Sequence, residues 1–246
     1  MTPVVIESTN LSKAWMDTLK LASHTAGGEL LPFVLSLAGF EEDINIRQMV
    51  DKHLQANNKY SIKTVSETIF PQSLYEDVKY DRHKLYTKYI QNLPRLMAIV
   101  QDNKRGTYFQ RLIDFDATDK TEGNQKKSSV NQLEIIIEAL KNKTINRRTQ
   151  YQACIFDPKQ DHVKGPYQRF PCLGHITFYK SEIEGLVLNS FYPVQHLYTK
   201  AYGNWLGLIN LGKFVAKEAE LEFGKLICFA GVQTLGEQKK DVRNLL

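Results

Sequence analysis

The chain has 246 residues and a mass of 28.3 kDa, with 42% hydrophobic and 24% charged residues. This composition is close to the globular average and excludes a collagen, a long coiled coil and a disordered chain. The formal charge of +5 comes mostly from scattered lysines and arginines, so it permits an anionic ligand without indicating nucleic acid. We expect one domain spanning residues 1–246.

The amino-terminal segment and the cysteines indicate the compartment. Residues 1–10 contain neither a basic nor an apolar region of signal-peptide type, and the longest near-apolar run, residues 30–40, is too short to span a bilayer. Cys154, Cys172 and Cys228 form no CxxC pair, and the six histidines have no metal-ligand spacing. We therefore expect a cytoplasmic protein without a membrane contact, a disulfide framework or a metal site.

The first hundred residues are predicted to be mainly helical, because apolar residues recur at helical spacing. The predicted helices lie at about residues 11–25, 46–54, 65–69 and 80–100. Between the first two, residues 30–38 predict a buried strand with Pro32 near its start. Pro94 predicts a kink or a break in the last of these helices.

The middle of the chain is predicted to be less regular. Residues 108–115 predict a strand or an extended segment leading into one. Residues 117–129 contain no bulky apolar residue and predict a mobile polar loop, either a lid or a floppy insertion. At Ser129 a capping-box pattern with Gln132 predicts the start of a helix that leads to Arg147.

The second half of the chain is predicted to be mainly strands, with one long helix at about residues 202–221. The predicted strands are residues 150–156, 175–182, 186–192 and 225–232. Gly185 is the turn signal between the middle two. Helices come mainly first, strands come mainly later and no βαβ unit repeats, so the predicted fold class is α+β, with helices packed on a mixed, largely antiparallel sheet.

Cys172 is the candidate nucleophile. It follows Pro171 at the mouth of residues 175–179, which alternate polar and apolar and so predict a half-buried strand. A thiol at that place can face a cleft, or it can be a small core residue, since free cysteines are among the most buried residue types.

The paired arginines Arg147 and Arg148 also have two interpretations. Guanidinium forks bind phosphate bidentately and keep their charge at any working pH, which favours a phosphate site. A solvated helix exit, favoured by the helix dipole, is the alternative.

From about residue 131 to residue 231 the order and spacing of these elements resemble the thymidylate synthase family, including its pyrimidine-nucleotide hydroxymethylase branch. The matching motifs are Asn131-Gln132, Arg147-Arg148, Asp157-Pro158, Pro171-Cys172, the hairpin FYKSEIEGLVLNSFY and the helix YGNWLGLINLGKFVAKEAELEFGKL. The first 130 residues match only in order, with residues 65–71 as the counterpart of the family's glutamate-bearing helix.

The resemblance implies a thymidylate synthase-like fold and a homodimer with back-to-back sheets. It implies a transferase that moves a one-carbon unit, methyl or hydroxymethyl, from 5,10-methylenetetrahydrofolate to C5 of a pyrimidine nucleotide. Cys172 adds to C6 as a thiolate, and Glu67, by default a solvated residue, organises water and protons near the base. The implied substrate-binding residues are Arg147, Arg148, Arg169 and Asn204.

The implied roles of these residues follow from charge and hydrogen bonding. The arginine pair reaches the substrate phosphate of the other subunit. Nucleophilic attack needs a lowered thiol pKa, which Arg169 or the partner subunit's Arg148 supplies. Asn204 bonds the base edge, and its alternative role is that of a helix-start residue.

The chain departs from the family pattern around the cysteine and the phosphate. Leu173-Gly174 separate Cys172 from His175, where the family has a histidine directly after the cysteine. Val194 aligns with the third phosphate arginine, and Leu197 lies near the position of the aspartate that serves the cofactor site. The phosphate site is therefore weakened.

The sugar site is rebuilt as well. The family's Gly-Asp-x-His-x-Tyr segment is replaced by AGVQTLGE, where Gln233 and Thr234 are the polar candidates. The alternative to an enzyme is a catalytically inactive nucleotide-binding or regulatory protein on the same fold, since fold alone does not fix function. An inert buried Cys172 favours this alternative, whereas a low thiol pKa favours the enzyme. Nucleic-acid binding rests on charge alone and ranks last.

Overall fold

The computed structural model describes residues 2–99, 106–119, 126–142, 147–162, 164, 171–236, 242 and 245. Its helices are α1 (Leu11–His24), α2 (Ile44–Ala56), α3 (Ile62–Glu67), α4 (Gln72–Asp77), α5 (Arg82–Ile99), α6 (Tyr108–Ile113), α7 (Gln132–Lys141), α8 (Pro158–Asp161) and α9 (Tyr202–Glu218). Its strands are β1 (Val4–Asn10), β2 (Glu29–Leu30), β3 (Phe33–Glu41), β4 (Phe115–Asp119), β5 (Lys126–Val130), β6 (Gln152–Cys154), β7 (His175–Ser181), β8 (Gly185–His196) and β9 (Phe223–Thr234).

Most of the strands form one mixed sheet in the order β1-β3-β9-β8-β7-β6, with β2 paired to β9. β1 runs parallel to β3 and β8 runs parallel to β9, whereas the other pairs of this sheet are antiparallel. β4 and β5 form a separate antiparallel ladder. A mixed sheet packed with helices is consistent with the predicted α+β class.

The two faces of the sheet differ, because successive side chains of a strand point to opposite sides. On the covered face the side chains are buried against helices, among them Leu35, Ile176, Ser190, Tyr192, Leu226 and Cys228. On the open face most side chains stay at least partly exposed, and Val187 is a buried exception. A stripe in register crosses the open face from Val5 through Val34, Phe229 and Phe191 to His175.

α9 packs directly on α3 because two of its residues are glycines. A Cβ on Gly203 would lie 2.5 Å from the Cβ of Val65, and a Cβ on Gly207 would lie 2.7 Å from the carbonyl oxygen of Ser66. This contact brings α3, which ends at Glu67, against the amino-terminal half of α9, which carries Asn204.

The turn between β7 and β8 touches the start of β9, backbone against backbone. Gly185, the predicted turn residue, has a φ of +74°, which favours glycine. A Cβ on Gly185 would lie 2.5 Å from the carbonyl oxygen of Glu222, and a Cβ on Gly224 would lie 1.5 Å from that of Glu184. The two chain segments fit together only because both residues lack a side chain.

The prediction of a strand at residues 108–115 is wrong, because most of this segment is α6. Phe109, Leu112 and Ile113 are buried at helical spacing, and the Thr107 side chain accepts the N–H of Gln110 to cap the helix. The pattern misleads because a helix of six residues is too short for its period to be distinguished from that of a strand.

The prediction of a loop at residues 117–129 is wrong at both ends, which belong to β4 and β5, while residues 120–125 lie outside the described part. This ladder lacks the apolar alternation that identifies a strand from sequence. The predicted cap is also wrong: Asn131 caps α7 by accepting the N–H of Glu134 at 2.9 Å, whereas Ser129 lies in β5. None of the described helices has the length and apolar character needed to cross a membrane.

Candidate active site

Cys172 lies in the turn before β7, half-buried and packed against the core. Its backbone N–H donates a hydrogen bond to Tyr108 Oη at 3.3 Å. Tyr108 is the first residue of α6, and its position is fixed by the cap at Thr107 and by the buried ring of Phe109. The start of α6 therefore holds the backbone of the candidate nucleophile.

Burial raises the pKa of the Cys172 thiol, and the nearby charge of Lys200 and the hydroxyl of Tyr108 only partly oppose this rise. Within the single chain the thiol therefore does not have the lowered pKa that nucleophilic attack requires. The physical reason is desolvation of the thiolate, which the charge of Lys200 does not outweigh. Arg169, one of the two arginines expected to lower this pKa, lies outside the described residues.

The arginine pair is exposed and precedes β6. The Arg148 guanidinium lies 5.5 Å from the ring centroid of Tyr179, a residue of the open face with 42% exposure. Cys172, by contrast, interacts with Tyr108 and with Tyr192 of the covered face. Within one chain the structure therefore does not bring Arg148 to the thiol.

Glu67 is half-buried at the end of α3. Its carboxylate accepts hydrogen bonds from the backbone N–H of Ser73 at 3.1 Å and from Ser73 Oγ at 2.7 Å, so it caps the start of α4. The end of α3 also touches α6, because the N–H of Phe109 donates to the Thr68 carbonyl at 3.3 Å. Glu67 is thus near the helix that holds Cys172, but within the described residues its hydrogen bonds go elsewhere.

Asn204 is 4% exposed, and in the described part of the chain its side-chain amide makes no hydrogen bond. A π-helical turn, Leu197–Ala201, runs directly into α9, and the position before α9 is Ala201, without a side-chain cap. Asn204 therefore lies in the first turn of α9 but does not cap the helix, and its side-chain amide is left without a hydrogen bond among the described residues.

Two residues close to Cys172 have no local sequence signal. Tyr192 is 0% exposed, burial raises its pKa, and Cys228, Tyr108 and Cys172 lie within electrostatic range. Lys200 lies in the π-helical turn, with its ammonium 5.0 Å from the ring centroid of Tyr60. Only the fold brings these two residues together with Cys172.

The structure also describes the residues at which the resemblance expects the cofactor and the sugar to bind. Leu197 is 0% exposed and its carbonyl accepts the indole N–H of Trp15 at 3.1 Å, so a buried apolar side chain lies where the resemblance expects an aspartate. Thr234 donates to Glu29 at 3.3 Å, whereas Gln233 is 0% exposed on β9. Within the described ranges no group of histidines, cysteines and carboxylates is arranged to hold a metal ion.

A comparison of the chain with known protein families found no match, and a comparison with curated proteins found none either. The candidate site therefore rests on its own geometry: a half-buried thiol beside a covered sheet face, with buried polar groups that extend from Tyr108 toward the carboxyl ends of β8 and β9.

Proposed function

We propose that the chain is a thymidylate synthase-like transferase that acts at C5 of a pyrimidine nucleotide, with Cys172 as the nucleophile. The observation that supports this most is the setting of Cys172. Its thiol is half-buried, its backbone is held by Tyr108, and the cation of Lys200 lies within electrostatic range. A positioned thiol next to buried polar groups suits covalent catalysis better than simple packing.

In this proposal the Cys172 thiolate adds to C6 of the ring, and the electrons of the C5–C6 double bond move onto C5 and its neighbouring carbonyl as an enolate. C5 then takes an electrophile, loses its hydrogen as a proton, and expulsion of the thiolate restores the double bond. Tyr108 stabilises the thiolate by hydrogen bonding, and Lys200 stabilises it by charge.

The open face is the proposed interface of a homodimer. Phe191 and Phe229 stack there at 5.6 Å, and Val5 and Phe191 are 53% and 43% exposed. An apolar stripe of this kind is typical of a surface that another chain covers. In such a dimer Arg148, beside Tyr179 at the open face, extends toward the second subunit. Its charge would there bind the substrate phosphate and lower the thiol pKa that burial raises.

The residues do not fit a reduced folate in the way that the resemblance implies. The cofactor-site aspartate is replaced near Leu197, which is buried and apolar. We therefore derive no step through methylenetetrahydrofolate, and the test of the proposal uses addition at C6, which requires no one-carbon donor.

The raised pKa of Cys172 favours a second candidate function. A nucleotide-binding or regulatory protein on the same fold needs the pocket but not the thiolate. The two candidates share the ligand and differ in whether the thiol reacts.

The test is release of tritium from C5-labelled dUMP, dCMP and CMP into water, because addition at C6 makes the C5 hydrogen exchangeable. We expect the parent to release tritium from one of these nucleotides and Cys172→Ser to release none above background, since an alkoxide is far harder to form than a thiolate. Cys154→Ser, which changes an exposed cysteine, is the matched control and keeps the parent's rate. Binding without release by the parent would establish the second candidate instead.

A further inference from the structure

Two buried glutamines lie opposite each other near the carboxyl ends of β8 and β9. Gln195 and Gln233 are register partners in this parallel pair, and they are 1% and 0% exposed. Polar side chains of this size are mostly exposed in globular proteins, so a buried pair needs a physical reason.

The orientation of both amides follows from their partners. The indole Nε1 of Trp205, which can only donate, bonds Gln195 Oε1 at 3.1 Å. Gln233 Nε2 donates to the backbone carbonyl of Gln195 at 3.3 Å. These contacts show which amide atom is nitrogen and which is oxygen, because a flipped amide would place a donor against a donor or an acceptor against an acceptor.

The remaining amide atoms, Gln195 Nε2 and Gln233 Oε1, have no hydrogen-bond partner among the described residues. One is a donor and the other is an acceptor, and the two residues are adjacent across the strands. The hydroxyl of Tyr192, on the covered face of β8, is also buried without a partner in this part of the chain. Native proteins pair the large majority of such atoms, so an unpaired donor and an unpaired acceptor on two register partners indicate an occupant.

We propose that Gln195 and Gln233 bind a neutral ligand group that accepts one hydrogen bond and donates another. This inference rests on the proposed function, in which the ligand is a pyrimidine nucleotide. Two parts of a nucleotide have this chemistry: the amide edge at N3 of the base and a sugar hydroxyl. A phosphate does not fit, because Gln233 Oε1 can only accept and because burial penalises a charge without a counterion.

The test compares dUMP with two analogues by isothermal titration calorimetry on the full chain. N3-methyl-dUMP lacks the donor of the base edge, and 2′,3′-dideoxyuridine monophosphate lacks the sugar hydroxyl. The variant Gln233→Met keeps the shape of the side chain and removes the acceptor, and Gln48→Met makes the same change at an exposed position.

We expect Gln233→Met to weaken dUMP binding by about tenfold or more, and Gln48→Met to leave it unchanged. One analogue should bind the parent more weakly by a similar factor and bind Gln233→Met with no further loss, which identifies the bound part. Should Gln233→Met fail to fold, the two analogues measured on the parent decide alone.

The inference would be overturned if the parent bound dUMP and both analogues equally and, when it folds, Gln233→Met kept the parent's affinity. Those results would show that only water occupies the glutamine pair. The proposed function would survive that result if the parent still released tritium. Conversely, binding that depends on Gln233 without tritium release would keep the inference and remove the enzyme. Absence of dUMP binding would overturn the inference, and absence of binding by dUMP, dCMP and CMP alike would overturn the proposed function as well.

Discussion

The thiol of Cys228 is fully buried on the covered face, opposite Ser190 in the parallel pair. Burial raises the pKa of Cys228 to about 11, although Ser190 and Trp205 oppose this rise. In an unfolded chain the pKa of a cysteine thiol is about 8.5. The stability from this group is therefore complete below about pH 8.5 and is lost as the pH rises toward the folded value, because the unfolded state releases its proton first.

We predict that Cys228→Ala removes this part of the alkaline destabilisation. From this group alone the free energy of unfolding of the parent falls by about 3 kcal/mol between about pH 8 and pH 11. Urea unfolding at several pH values across that range measures how steeply the free energy of unfolding falls with pH in the parent and in the variant. Cys154→Ala, at an exposed cysteine, should keep the parent's slope, and identical slopes in all three proteins would contradict the prediction.

At the candidate site the sequence identifies single residues better than it identifies their neighbours. Cys172 stands out because it follows a proline and precedes an alternating strand. Tyr108, Tyr192 and Lys200 come from three separate segments, and each has an ordinary local context. Their proximity to Cys172 depends on how α6, β8 and the π-helical turn pack, which no local pattern specifies.

The longer elements follow the sequence closely, because a long segment shows its period several times. α1, α2, α5 and α9, with β7, β8 and β9, lie where apolar spacing predicts them, although their ends shift by a few residues. β1 and α4 are absent from the predictions, and α6 is assigned to the wrong class. α4 and α6 have six residues each, so their period repeats too few times to be recognised. β1 is as long as β7, but its apolar residues lie together at its start instead of alternating along it.

The contact between α3 and α9 gives a prediction at the scale of elements. Gly203→Ala adds a methyl group 2.5 Å from Val65 Cβ, and we expect it to destabilise the fold by about 1–3 kcal/mol. This figure is the net change in the free energy of unfolding. It is the cost of the steric overlap less the helix propensity gained, because alanine in a helix is otherwise about 1 kcal/mol more favourable than glycine. Thermal or urea unfolding measures the change.

Asn210→Ala on the same helix is the matched control for this change. Asn210 is only partly buried, so its replacement gains helix propensity without a steric overlap and should leave stability unchanged or raise it. If Gly203→Ala were as stable as Asn210→Ala, the close approach of the two helices would be disproved.

At the scale of the whole molecule, the described helices leave one face of the sheet largely uncovered. We predict that Phe191→Asp converts a homodimer into a monomer at micromolar concentration, because it places a charge in the middle of the apolar stripe. Analytical ultracentrifugation measures the change, and nucleotide binding should weaken with it, since Arg148 then serves no second subunit.

Ile183→Asp is the control for the dimer prediction. Ile183 is 95% exposed at the tip of the β7–β8 hairpin, away from the stripe, and its replacement should leave the dimer intact. A parent that is already monomeric would disprove the interface and would separate Arg148 from any role at the second site.

The interlocked glycines at the start of β8 and β9 make the molecule more sensitive to changes in chain length than to many substitutions. The contact of Gly185 and Gly224 with the opposing backbone fixes where both strands begin. One residue inserted into β9 between Gly224 and Gln233 would shift the following residues relative to β8 and move Gln233 out of register with Gln195. Relatives of this chain are therefore expected to vary in length at the hairpin tip or after Gly236, and to keep the number of residues between Gly224 and Gln233 constant.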